Sequence, residues 1–242
     1  MLSSLISRLR IGAAVAVVAT SLTATSAHAS PVVGEWSMRG VGDGTSAGAG
    51  EAPPLRFAGH WRQVTGFIGG AVKFTSAPSS GVARGTADMN PGTRDFAMSL
   101  VFTSGAIPQG VGYSGNLMQK GRSYSGAQIK LQLVPAQHGT VNCTIEGFKQ
   151  RVRLTSTVRR VDDGRWHTAS CWRNGDLVGL TVDATTERRT ITLGAITNSE
   201  PVRVGNKSRT AGAADQHFGA NDCSVFVIGS HARAAAARRT PC

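Results

Sequence analysis

The segment at residues 164–183, which reads GRWHTASCWRNGDLVGLTVD, constrains the fold of this chain more than any other. Two strand-like runs flank Asn174-Gly175, the dipeptide that best tolerates the positive φ angles of a tight hairpin. Alternation along the first run predicts two faces, one with Trp166, Thr168 and Ser170 and the other with His167, Ala169 and Cys171. An isolated hairpin is marginally stable in water, so further strands must cover this one.

The N-terminus predicts a secretory signal peptide over residues 1–29. Arg8 and Arg10 form a basic region, residues 11–19 form a short apolar core, and residues 27–29 form an A-x-A cleavage site. The apolar core is too short to cross a bilayer, and no other run is long enough, so we expect no membrane span. The remaining chain should begin near Ser30 and be secreted to the extracellular side.

The four cysteines all lie after the predicted cleavage site, and they are Cys143, Cys171, Cys223 and Cys242. An even number in an oxidising compartment predicts two disulfides, for which three pairings are open. We favour Cys143–Cys171 and Cys223–Cys242, because these are the nearest neighbours in the sequence. Zinc is the alternative, but no Cys-x-x-Cys or His-x-x-x-His spacing supports it.

The chain is strongly basic, with a formal net charge of +12. Such a charge favours polyanionic partners, among them cell-wall polymers, sulfated glycans, anionic lipid head groups and nucleic acid. Dispersed charge that only keeps a secreted domain soluble explains the composition equally well. Nucleic acid is not an expected partner, because aromatic residues are scarce and no nucleic-acid-binding motif is present.

Short alternating runs separated by glycine-rich turns continue through the chain, which predicts an all-β fold. The clearest runs lie at residues 32–38, 69–74, 96–102, 129–133, 141–145, 151–154, 191–193, 202–204 and 225–228. Residues 40–54 and 81–92 are predicted loops. Helical composition appears only at residues 232–237, within a basic C-terminal tail at 231–242. We therefore predict one two-sheet antiparallel β-sandwich over residues 30–230.

The order of these motifs resembles the laminin-G-like, concanavalin A-like jelly roll of bacterial secreted proteins. The matching residues are 34–38 (GEWSM), 69–74 (GGAVKF), 95–100 (DFAMSL), 117–121 (LMQKG), 164–168 (GRWHT) with 182–183 (VD), 204–206 (VGN) and 218–222 (FGAND). Two positions depart from the pattern: Ala184 follows Asp183 where the family has glycine, and Asn221-Asp222-Cys223 replaces its usual closing residues. The resemblance implies a jelly roll, which the predicted disulfides would stabilise.

Enzymes on the same scaffold cleave glucans with paired carboxylates on one strand, and this chain has no such pair. There is also no G-x-S-x-G nucleophile motif, and His167 is expected to be structural, bonded to the backbone. The sequence therefore favours a non-catalytic role. A glycan hydrolase or lyase with an unrecognised site is the alternative.

Laminin-G-like domains often hold calcium at a rim, so the resemblance keeps a calcium cofactor open. The candidates by position are Asp88, Asp95, Asp162, Asp163 and Asp215, although capping a turn is the more economical role for each. We assign no metal ligand and no ligand-contacting residue from the sequence.

The tryptophans divide into two pairs. Trp36 and Trp166 lie in predicted strands and should be core residues, whereas Trp61 and Trp172 stand beside basic residues, where exposure would allow stacking on a sugar. The function that we predict is a secreted recognition module whose rim loops bind a glycan, a cell-wall polymer or an extracellular protein.

Overall fold

The computed structural model describes residues 32–49, 52–106, 113–134 and 139–229, which form two antiparallel β-sheets packed face to face. In chain order the strands are β1 (Val32–Ser37), β2 (Thr45–Ser46), β3 (Gly48–Ala49), β4 (Leu55–Ala58), β5 (Trp61–Thr65), β6 (Gly70–Phe74), β7 (Ser80–Ala83), β8 (Phe96–Ser104), β9 (Asn116–Arg122), β10 (Ala127–Val134), β11 (Thr140–Glu146), β12 (Arg151–Thr155), β13 (Trp166–Asn174), β14 (Leu177–Val182), β15 (Thr185–Thr190), β16 (Val202–Val204) and β17 (Gly219–Ile228). Two 3₁₀ turns lie at Ser123–Ser125 and Ala213–Asp215.

The first sheet, sheet A, has the strand order β15-β14-β13-β8-β17-β1-β3, with β6 also paired to β17 and β5 paired to β6. The second sheet, sheet B, has the order β12-β11-β10-β9-β16-β7-β4-β2. The predicted all-β sandwich is therefore confirmed. Among the described residues, no helix is long and apolar enough to cross a membrane.

The core lies between the sheets and follows the alternation of the sequence. The predicted inward face of β8, with Phe96, Met98, Leu100 and Phe102, is fully buried. In β10 the odd-numbered residues from Ile129 to Leu133 face the same core, while the even-numbered ones face outward. This alternation leaves one polar surface on sheet B.

The central hairpin forms as β13 and β14, but its turn is shifted by one residue from the prediction. Asn174 pairs with Leu177, so the two-residue loop is Gly175-Asp176. Gly175 has a φ of 60° at the first central position, the place where a type II′ turn requires glycine. Asn174 is instead the last residue of the strand.

The predicted disulfide between Cys143 and Cys171 is confirmed. Cys143 lies on the inward face of β11 in sheet B, and Cys171 lies on the inward face of β13 in sheet A. Their Cα atoms are 5.6 Å apart, and the bridge crosses the core between the two sheets.

Several predicted strand positions were wrong. The predicted loops at residues 40–54 and 81–92 contain the short strands β2 and β3 and part of β7. The strand predicted at residues 191–193 does not form, because the polar run that precedes it, Thr185–Thr190, pairs with β14 instead. Exposed edge strands carry few apolar residues, so hydrophobic alternation did not identify β15.

Other predictions fall outside the described residues. They are the signal peptide at residues 1–29, the tail at 231–242 with its helical run at 232–237, and the Cys223–Cys242 bridge, for which Cys242 is not described. The domain boundaries at 30–230 stay a prediction.

His217 is completely buried in the sandwich, although its side chain is ionisable. Its ring makes edge contacts with Phe74 and Phe102, with ring centroids 6.4 and 6.1 Å apart. Burial lowers the pKa of His217 to about 4, so the imidazole is neutral in the native protein at neutral pH.

We expect Cys143→Ala with Cys171→Val to lower the free energy of unfolding by about 3 kcal/mol, because the bridge closes a long loop in the unfolded chain. Urea denaturation of both proteins without reductant measures the difference. Equal midpoints and slopes in the two proteins would show that the bridge contributes nothing to stability.

We expect the contribution of His217 to the free energy of unfolding to fall by about 3 kcal/mol as the pH drops from 7 to 4, because His217 titrates near 6.5 when unfolded but at about 4 when folded. Its contribution is fully present above pH 6.5 and is lost as the pH falls through 4. His217→Leu should flatten this part of the pH profile in urea titrations. An unchanged profile in the variant would contradict the assignment to His217.

Candidate functional site

The outward side of sheet B carries a continuous set of polar and basic side chains. We call it the polar face, and its residues are Gln119, Gln128, Lys130, Gln132, Asn142, Thr144, Arg151, Arg153 and Arg203. Each of them alternates along its strand with a residue of the core, such as Leu131 or Ile145. The pleat that builds the core therefore also builds this face.

The register of the strands aligns five of these residues in a row that crosses the sheet. Direct cross-strand pairs join, in order, Arg153, Thr144, Lys130, Gln119 and Arg203. The row continues through Val82 on β7 to Arg56 on β4. We call these seven residues the cross-strand row. It runs perpendicular to the strands, so that consecutive members lie about 4.8 Å apart.

The central residues of the polar face, Lys130, Gln119 and Thr144, are buried to an unusual degree for polar groups, whereas Arg151 and Arg153 at its edge are exposed. Lys130 is 8 % exposed, Gln119 3 % and Thr144 1 %. They lie in the floor of a cavity of about 510 Å³. Buried polar side chains normally find hydrogen-bond partners, and an unpartnered one costs stability.

Several buried polar atoms here have no hydrogen-bond partner among the described residues. They are Oε1 of Gln119, Oγ1 of Thr144, Oδ1 of Asn142, Oε2 of Glu146, and Nε and Nη1 of Arg203. All belong to residues on the outward side of strands in sheet B. Unsatisfied donors and acceptors that lie side by side on one surface are available to a ligand.

Loops and turns form the border of the cavity. Lys207 and Asp215 form an ion pair at 2.6 Å on one side, and the Ser114 hydroxyl donates to Oδ1 of Asp215 at 3.3 Å. On the other side, Tyr124 is 73 % exposed, and the Arg122 guanidinium lies over its ring, 5.4 Å from the centroid. These two groups of residues line the sides of the cavity and leave the polar face open to solvent.

The polar face is positively charged at neutral pH. Burial lowers the pKa of Lys130 to about 8, against the opposite effect of Asp215, so the ammonium remains mostly protonated at pH 7. Burial also lowers the pKa of Arg203, which an arginine tolerates without losing its charge. Desolvated cations of this kind interact strongly with any anion that reaches them.

A second cleft lies on sheet A, around His167. Its volume is about 510 Å³, and its lining includes Trp166, Asp183 and Phe67, which is 58 % exposed. His167 is held between two carboxylates, with Nδ1 3.0 Å from Asp183 and Nε2 3.1 Å from Asp163. The predicted structural role agrees with this geometry, but the partners are carboxylates rather than the backbone.

Asp183 explains why His167 is fixed at this place. It adopts a φ of 53° in the turn between β14 and β15, and its Oδ1 accepts a hydrogen bond from the Thr168 amide at 3.0 Å. The hydrogen bond to Asp183 is the main cause that raises the pKa of His167, with a further contribution from Asp163. Through His167 and the Thr168 amide, Asp183 therefore connects the turn between β14 and β15 to strand β13.

The aspartates considered for calcium are not brought together. Asp95 accepts a hydrogen bond from the Gly175 amide, Asp163 contacts His167, and Asp215 pairs with Lys207. In the parts of the chain that the structure describes, no group of three His, Cys, Asp or Glu residues could hold a metal ion. Asp163 also caps a turn through the Arg165 amide, as predicted for these residues.

The tryptophans lie away from the polar face. Trp36 is fully buried, as predicted, but Trp166 is half-buried on the outer side of sheet A, packed against Val101 and its neighbours rather than in the main core. Trp61 packs against Phe57, and Trp172 donates from Nε1 to the Thr181 hydroxyl. The prediction that Trp166 is a core residue was therefore wrong.

Comparisons with known proteins identify the fold. The family model of the laminin G domain matches residues 112–220. No curated protein matches the sequence significantly. The chain has a laminin-G-like, concanavalin A-like jelly roll, as the motif order predicted.

Solved structures with a similar fold share little sequence with this chain. Domain 4 of AbnA, a GH43 extracellular arabinanase from Geobacillus stearothermophilus, in complex with arabinotriose, is 12% identical with a TM-score of 0.58, covering 81% of this chain and 91% of that one. The botulinum neurotoxin serotype D binding domain is 8% identical with a TM-score of 0.55, covering 81% and 48%. Domains LG4-5 of the mouse laminin alpha1 chain are 18% identical with a TM-score of 0.49, covering 74% and 44%.

The sequence contained part of the information that defines the polar face. The alternation at residues 129–133 and the outward arginines at 151–153 were apparent, but each strand was considered alone. The register that aligns Lys130 with Gln119 and Thr144 depends on pairing between strands that no local pattern specifies.

We expect Asp183→Asn to lower the pKa of His167 towards its ordinary value, because Asn keeps the tolerance for positive φ but removes the charge. The pair stabilises the protein while His167 is protonated, so the loss of stability should be largest at pH 6 and small well above the folded pKa. An NMR titration of the His167 ring measures the shift. A pKa that does not move would contradict the pairing.

Proposed function

We propose that this protein is a secreted, non-catalytic recognition module that binds a glycan on the polar face of sheet B. The sequence predicted binding through rim loops, whereas in this proposal the strands of sheet B form the floor of the site. A cell-wall polymer or an extracellular glycan is the ligand class in this proposal. Export rests on the predicted signal peptide at residues 1–29, and the confirmed disulfide suits an oxidising compartment.

The observation that carries the proposal is the set of buried polar atoms without partners. Leaving a buried donor or acceptor unpaired costs about 1–3 kcal/mol, so Gln119, Thr144 and Arg203 together lower stability in the free protein. A glycan offers many hydroxyl groups, each of which can donate and accept. Such a ligand would satisfy the Oε1 and Oγ1 acceptors and the guanidinium donors at once.

The arrangement of acids supports a binding role over hydrolysis. A retaining glycosidase needs two carboxyl groups about 5 Å apart, one of which acts as nucleophile. Among the described residues that line the cavity, the acid is Asp215, and it is ion-paired with Lys207. Glu146 lies on the outward side of β11, opposite Arg151 in the register.

The comparisons support the same class of function by analogy of fold. The arabinanase domain was solved in complex with arabinotriose, and the neurotoxin structure is that of a binding domain. A shared fold is a weak argument for a shared function, so the proposal depends on the chemistry of the polar face.

We expect Thr144→Val to increase stability and to weaken glycan binding in the same molecule. The change keeps the side-chain shape and removes an unpartnered buried hydroxyl, so the free energy of unfolding should rise by about 1 kcal/mol. Binding to a panel of neutral and acidic cell-wall polysaccharides should fall about tenfold, the loss of one good hydrogen bond. Urea denaturation and calorimetric titration measure the two effects.

Thr140→Val is the matched control, because Thr140 lies on the same strand but donates to the Ser156 carbonyl at 2.8 Å. It should lower stability by about 1 kcal/mol and leave binding unchanged. The proposal fails if the unaltered protein binds no glycan in the panel, or if Thr144→Val binds as tightly as the unaltered protein does.

A further inference from the structure

The charges on the polar face are almost all of one sign. Lys130, Arg151, Arg153 and Arg203 contribute positive charge, and Glu146 is the acid on these strands. Arg151 and Arg153 are exposed, whereas Lys130 is buried and Arg203 is partly buried. A neutral glycan would satisfy the hydrogen-bonding atoms but would leave the desolvated charges of Lys130 and Arg203 without an anion. An unpaired buried charge is more costly than an unpaired hydroxyl.

The cations of the cross-strand row occur on every second strand. Arg153, Lys130, Arg203 and Arg56 lie on β12, β10, β16 and β4, with one strand between consecutive members. Strands are about 4.8 Å apart, so neighbouring cations are separated by about 10 Å at the backbone. That distance is comparable with the length of a disaccharide unit in an extended polysaccharide.

Uncharged hydrogen-bonding groups occupy the strands between the first three cations. Thr144 lies between Arg153 and Lys130, and Gln119 lies between Lys130 and Arg203. Both have a buried oxygen without a partner. From Arg153 to Arg203, the row therefore alternates a group suited to an anion with a group suited to a hydroxyl, whereas the apolar Val82 separates Arg203 from Arg56.

Arg203 is the member of the row best prepared for an anion. Its Nε and Nη1 atoms are buried and have no hydrogen-bond partner among the described residues. Arg122 and Arg209 add like charge around it, against one nearby acid, Glu200. A carboxylate or sulfate would pair with the guanidinium by charge-assisted hydrogen bonds, which are about twice as strong as neutral ones.

We infer that the polar face binds an anionic polysaccharide in which acidic and neutral sugars alternate, lying along the cross-strand row with one sugar over each strand. The acidic group of every second sugar meets a cation of the row, and the neutral sugar between them meets Thr144 or Gln119. This inference rests on the proposed function and specifies its substrate class. The anion is a carboxylate or a sulfate, since both fit the same cations.

A nucleic acid fits this face less well than a polysaccharide. Single strands are bound chiefly by stacking of bases on exposed aromatic rings, combined with a basic groove. Among the described residues that line the cavity, Tyr124 is the exposed aromatic, while Tyr113 is buried and donates its hydroxyl to the Gln216 carbonyl. Nucleic acid is therefore a competing outcome of the test.

The test compares oligosaccharides of matched length by calorimetric titration with the full protein at about 0.15 M salt, where long-range attraction is screened. Hyaluronan has one carboxylate per disaccharide, κ-carrageenan one sulfate per disaccharide, polygalacturonate an acid on every sugar, and arabinan none. We expect hyaluronan or κ-carrageenan to bind at least about tenfold more tightly than polygalacturonate, arabinan or single-stranded DNA.

Substitutions then locate the binding along the row. Lys130→Met and Arg203→Met should each weaken the preferred ligand about tenfold or more, while Arg188→Met on the exposed edge strand β15 of sheet A should not. Arg188 matches them in charge and lies on the other sheet. Because Lys130 is desolvated, Lys130→Met should fold at least as stably as the unaltered protein, which separates binding from folding.

The outcomes distinguish this inference from the function on which it rests. Tight binding of arabinan that Thr144→Val weakens, without binding of the acidic polymers, would overturn the inference and keep the proposed function. Equal binding of all polyanions, including DNA, or equal loss in Arg188→Met would overturn the alternating-sugar assignment. Binding of no glycan at all would overturn both.

Discussion

The structure depends on one strand, β11, that is fixed to both sheets. Backbone pairing joins it to β10 and β12 in sheet B, and the Cys143–Cys171 bridge joins it to β13 in sheet A. The residues on either side of Cys143 point the other way, so Asn142 and Thr144 are held on the polar face. The disulfide that closes the core therefore also fixes the floor of the proposed site.

The polar face contains buried polar atoms without hydrogen-bond partners in the described part of the chain, which a stable scaffold can tolerate. Buried polar atoms without partners cost free energy, and the free protein retains them at Gln119, Thr144 and Arg203. The hydrophobic core beneath, with residues such as Leu131 and Ile145, is what offsets this cost. A binding site that is already desolvated and rigid loses less entropy when a ligand arrives.

Two lysines ten residues apart show why burial alone does not define a site. Lys120 points inward, and its ammonium donates to the Asn198 and Glu200 carbonyls and to the Asn198 side chain, so its role is structural. Lys130 points outward into the cavity. Burial lowers the pKa of both to about 8, and only the face on which each one lies separates their roles.

The sequence by itself determined the all-β class and the inward faces of β8 and β10, because alternation is a local property of the chain. It favoured the Cys143–Cys171 pair among three possible pairings, and the structure decided it. The sequence did not determine the edge strand β15, the shift of the hairpin turn by one residue to Gly175-Asp176, or the carboxylate partners of His167. Only the tertiary structure decided the cross-strand row. Its members are distant in sequence, and they meet because strand register is set by the packing of the whole core.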